Sequence, residues 1–144
     1  MKAQTEDKET ALHHVPKEDV ARLLLELEHG ADANALDIKN RTPLHYVSEC
    51  GYTGVAQVLL EHGVDANARD ANSATPLHLA SGFELVYVKE EQILDVVQLL
   101  LQRDCDIHAR DDEDQTAFMS ATAKKHHKIM QILLEHGAED HRML

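Results

Sequence analysis

The chain has 144 residues, room for one domain, and its 43% hydrophobic content includes only 3% aromatics and no Trp. Ala, Leu and Val must then fill the interior, which suits thin, closely packed helices. Fourteen basic against 26 acidic residues give a net charge of −12, a field that repels phosphate backbones and anionic membrane surfaces, so neither nucleic acid nor membrane is an expected partner. No apolar run approaches the ~18 residues of a membrane span, and the polar stretch Met1 to His14 does not read as a secretory signal. Cys50 and Cys105 have no framework spacing, so reduced thiols in an intracellular protein, cytoplasmic or nuclear, are expected.

In chain order, a polar tail (1–8) leads to a first unit at about 9–36. Its start is Thr10-Ala11-Leu12-His13, and Val20, Leu23, Leu24 and Leu27 form an apolar stripe at helical spacing. The second unit, 37–69, is the best formed. Thr42 is an N-cap and Pro43 stands at the first helical position, where a missing N–H costs nothing. A short helix ends near Cys50-Gly51; a second carries Val55, Val58, Leu59 and Leu60 and closes at Gly63, where a left-handed residue is expected. An extended connector, Val64 to Arg69, then leads to a turn at Asp70.

The same phrases return at a fixed pitch. Thr42-Pro43-Leu44-His45 recurs 33 residues later as Thr75-Pro76-Leu77-His78, and Glu28-His29-Gly30 as Glu61-His62-Gly63 and later Glu135-His136-Gly137. A fixed interval with the same residues in phase predicts stacked copies of one small unit. The third unit, 70–110, is eight residues longer than the second, and the simplest placement of the insertion is 84–91, between its helices. There Asp104 replaces the capping glycine. The last unit, 111–139, carries Ala117-Phe118-Met119 in place of Pro-Leu-His and Lys125 in place of Gly, as a terminal cap would; a tail, 140–144, follows.

These residues, with Asp37, Gly51, Leu59-Leu60 and Asp65-Ala66-Asn67, resemble the ankyrin repeat. The resemblance implies an all-α solenoid of helix-turn-helix units with short β-turn fingers, about four repeats including degenerate caps. It also implies that Thr42, Pro43, His45, Gly63, Thr75, Pro76, His78 and Gly137 are structural, the histidine of each motif tying its repeat to the next.

Little else in the chain suggests chemistry. His29, His62 and His136 share one phase near a helix end and lie too far apart to converge on a metal; His13-His14 and His126-His127 diverge as helix neighbours. Asp111-Asp112-Glu113-Asp114 lacks the glycine and closing glutamate of a calcium loop. Nucleophile, phosphate-loop and zinc-protease motifs are missing, and Cys50 with His45 is a poorly placed nucleophile and base. No enzyme, cofactor or metal is expected.

The expected function is therefore protein recognition, as adaptor, scaffold or inhibitor, by a monomer. The resemblance implies a concave groove with finger tips, to which Leu36, Ile38, Lys39, Arg41, Glu49, Arg69, Ala71, Asn72, Ala74, Phe83, Arg110, Asp112, Glu113, Gln115 and Lys124 would contribute. Leu36 and Ile38 either meet a partner or pack on each other. Around the insertion, either Tyr87 or Phe83 anchors a partner, or Lys89 to Gln92 extends the second helix by a turn and Val86 or Val88 folds back over the helix pair. Arg41, Arg69 and Arg110 either thread positive charge through the groove or neutralise neighbouring aspartates. The acidic balance favours a partner with a basic surface. Two alternatives remain: an inert structural module, or a substrate of an Asn/His dioxygenase, which the resemblance implies at the phase of Asn34, Asn67 and His108.

Overall fold

A computed structural model describes residues 28–30, 32–82, 84 and 89–138. Among them run six helices and no strand: α1 Pro43–Cys50, α2 Thr53–Glu61, α3 Pro76–Ser81, α4 Glu90–Leu101, α5 Ala117–Ala123 and α6 His127–Glu135. The helices pair as antiparallel hairpins, α1 with α2, α3 with α4 and α5 with α6. Successive hairpins stack, so α1, α3 and α5 form one layer and α2, α4 and α6 the other.

Each first-layer helix starts the same way because each start carries the same local chemistry. Thr42, Thr75 and Thr116 sit in extended backbone, and each hydroxyl accepts the amide three residues on. Pro43 and Pro76 then occupy a position whose N–H no helix bond needs. Gly51 ends α1 with φ 73°. Gly63 and Gly137 follow α2 and α6 at φ 83° and 98°, the left-handed region that favours glycine.

The core repeats with the sequence. Leu44, Leu77 and Phe118 occupy one phase of the first layer, all nearly fully buried, with Val47, Ala80 and Ala121 one turn further on. Val55, Val96 and Ile129 match them in the outer layer, as do Leu59, Leu100 and Leu133. Removal from water stabilises each large side chain by about 1.5–3 kcal/mol. The small residues of the inner helices let the hairpins approach closely.

Residues 1–27, which include the first unit's motif and stripe, and the 139–144 segment lie outside the described residues. So do Phe83 and 85–88; the segment 85–88 is half of the expected insertion's eight residues, Tyr87 included. The outer helix that follows them, α4, has 12 residues against nine in α2 and α6.

Candidate functional site

Aspartate opens each described unit, and it builds the finger. Asp37 Oδ1 accepts from the amides of Lys39 (2.8 Å) and Arg41 (2.9 Å). Asp70 does the same for Asn72 (2.8 Å) and Ala74 (3.0 Å), and Asp111 for Glu113 and Gln115, both at 2.9 Å. Asn40, Ser73 and Asp114 stand in one phase at φ 57°, 59° and 61°, which turns each tip. The fingers join edge to edge: the Ala71 amide donates to Lys39 C=O (2.8 Å), and the Asp112 amide to Asn72 C=O (3.0 Å). Sequence reading weighed the run Asp111 to Asp114 as a calcium loop and set that aside; aspartate in this phase of all three units was the signal of its turn-forming role.

Histidine holds the layers in register. The Thr42 amide donates to His45 Nδ1 at 3.0 Å, so that nitrogen is assigned as an acceptor and the proton to Nε2, which donates to Ala74 C=O of the next unit at 3.0 Å. His78 repeats the arrangement with the Thr75 amide (3.1 Å) and Gln115 C=O (2.8 Å). Both rings are buried. Burial pushes the His45 imidazole below the usual histidine value, since the charged form cannot be solvated there. Both of its nitrogens are committed, which leaves none to act as base toward Cys50. Burial raises the Cys50 thiol, and that of Cys105 to about 11, so neither is a ready thiolate at neutral pH.

His62 and His136 have a role that sequence reading missed. Each Nδ1 lies 2.9 Å from the carbonyl four residues back, Val58 and Ile132 respectively, and so caps the end of its own helix. Among the described residues no group of three or more His, Cys, Asp or Glu side chains is arranged to hold a metal ion.

The fingers and first-layer helices enclose an open groove of about 620 Å³. Arg41, Glu49, Asp70, Asn72, His78, Asp111, Asp112, Glu113, Gln115, Ser120 and Lys124 supply its polar lining, with Ala74, Leu79, Gly82 and Ala123 between them. Its two cations are engaged within the chain. Arg41 lies 3.4 Å from both Glu49 and Asp70 and stacks over the Tyr46 ring, 5.5 Å from its centroid. Lys124 pairs with Glu84, whose carboxyl that hydrogen bond holds below its ordinary value.

Arg41, Arg69 and Arg110, expected either as a positive thread or as neutralisers of neighbouring aspartates, form three separate latches. Arg41 neutralises carboxylates, and Arg110 pairs with Asp114 at 3.5 Å. Arg69 donates to Arg110 C=O at 2.6 Å, and so braces the next finger rather than an aspartate. Leu36 and Ile38 remain 49% and 60% exposed, so they do not bury each other. Lys39, Asn72, Asp112 and Glu113 are exposed at the tips. Asn34 is exposed too, and it and Asn67 are both tied to the next unit: Asn34 Oδ1 accepts from the Asp65 amide (3.4 Å), and the Asn67 side chain donates to Asp104 C=O (3.2 Å) and accepts from the Asp106 amide (2.5 Å).

Two family models match, ankyrin repeats (many copies) over residues 19–80 and ankyrin repeats (3 copies) over 85–143. Comparison with curated proteins finds no match. No helix among the described residues is long and apolar enough to cross a membrane. Repeats of this kind generally serve as protein–protein interaction modules. Both matches fall on the stacked hairpins described above, and the chain belongs to the ankyrin-repeat family.

Proposed function

We propose that the chain is a non-catalytic docking module whose concave groove and finger tips receive a partner protein with a basic surface. One observation carries this reading. The groove's own cations are held by Glu49, Asp70 and Glu84, while Asp111, Asp112 and Glu113 crowd its far end with no lysine or arginine of the described residues paired to them. A carboxylate-rich wall in a concave surface raises the local concentration of cationic partners and speeds encounter more than it sets final affinity. An intracellular setting accompanies this reading, since Cys50 and Cys105 are both thiols.

The test is capture of partner proteins on the immobilised chain, wild type against the Asp112→Lys/Glu113→Lys double variant. Bound proteins should be lost from the variant and released from wild type by ~0.5 M salt, which shortens electrostatic range to a few ångströms. Capture that is indifferent to both salt and charge reversal refutes the acidic docking surface.

A further inference from the structure

The two junctions between described units share one plan and differ in how it is filled. At the first, Asp70 Oδ2 faces Arg41 Nε at 3.4 Å, with Glu49 on the far side of the guanidinium and Tyr46 beneath it. The donor arginine comes from the preceding unit and crosses to the aspartate of the next. At the second junction Asp111 stands in the phase of Asp70, its Oδ1 similarly occupied by two finger amides. The three residues that house the guanidinium are replaced there in phase: Arg41 by Ala74, Tyr46 by Leu79 and Glu49 by Gly82. Ala74 ends at Cβ, and no cationic side chain among the described residues pairs with Asp111. Asn72, Ala74, Leu79, Gly82, Asp111 and Ser120 together line the open groove.

We propose that this notch takes an arginine side chain from the partner protein, which completes at the second junction the guanidinium–aspartate contact that the first junction makes internally. The proposal rests on the docking-surface reading and names the chemistry of its occupant. Asp111 offers its outer carboxylate oxygen, Leu79 an apolar wall for the methylene stem, and the Gly82 position the room that Glu49 fills at the first junction. A planar guanidinium suits this slot better than a compact, strongly hydrated ammonium, as Arg41 illustrates one unit away. Asp112 and Glu113 at the adjoining tip steer the cation inward.

The test uses a short Gly/Ser peptide with arginines at alternate positions and its lysine counterpart, each titrated into ¹⁵N-labelled full-length chain at low salt. The amides of Ala74, Gly82 and Asp111 should shift with the arginine peptide, which should bind more tightly than the lysine one. Asp111→Asn keeps an Oδ1 for the finger amides but removes the charge; it should weaken binding about fivefold, equivalent to about 1 kcal/mol. Ala74→Arg supplies a guanidinium from within, as at the first junction, and should weaken binding to a similar extent. Equal binding of the two peptides, or unchanged affinity in both variants, overturns the proposal. If only Asp112→Lys/Glu113→Lys weakens binding, the notch is refuted while the docking surface stands. If no groove variant has any effect, both fall.

Discussion

Replacing His45 by alanine tests how the units are held together. The ring accepts from the Thr42 amide and donates to Ala74 C=O, and both partners are buried. The two losses are unequal. Ala74 C=O also accepts from the Asp70 amide at 2.9 Å, so it keeps one bond, whereas no other acceptor among the described residues reaches the Thr42 amide. An orphaned buried amide costs about 1–3 kcal/mol, and loss of one of two bonds to a carbonyl about 1 kcal/mol. A partly collapsed space the size of an imidazole adds to this, for a total of about 3 kcal/mol. The control is His62→Ala: among the described residues its ring bonds only to Val58 C=O of its own helix, at an exposed position where water can substitute, so the change should stay within about 0.5 kcal/mol. Urea denaturation followed by circular dichroism measures both. A His45→Ala loss under about 1 kcal/mol, or one equal to that of His62→Ala, refutes the inter-unit clasp.

Acid should weaken the same clasp. The folded-state value of His45 lies below 6.5 because of burial, so in mildly acidic solution the unfolded chain binds more protons than the folded one. The His45 contribution to stability is therefore present above pH 6.5 and declines as pH falls from there toward the depressed folded value, a decline that His45→Ala should lack in urea titrations at successive pH. Lys125 sits at φ 60° where the second unit has Gly51 at 73°, a conformation that costs a side chain about 1 kcal/mol. Lys125→Gly should thus raise the melting temperature by a few degrees, and a fall would show that the lysine side chain stabilises the turn through contacts of its own.

What the sequence made legible was what is local or periodic. The threonine caps, the prolines, the glycines past the outer helices and the leucine stripes all follow from residues within one turn of each other, and the period multiplies each signal. Pairings across units were less legible, because stacking brings Arg41 to Asp70 and Arg69 to Arg110 C=O although 29 and 41 residues separate them. The arginine thread was accordingly left open between two readings, and Arg69 fitted neither. The capping role of His62 and His136 was missed, because a bond to a carbonyl four residues back leaves the ring exposed. The notch at Ala74 was invisible for another reason: a small residue signals nothing until the filled version of the same site, one unit earlier, shows what is missing.

Amide hydrogen exchange with and without the arginine peptide tests the central claim most directly, since it asks which layer of the solenoid is covered. Protection confined to the groove side, residues 71–82 and 111–124, with α2 and α6 unchanged, is the predicted result. Protection on the outer helices instead, or none anywhere while the peptide binds, would contradict a concave acidic docking surface.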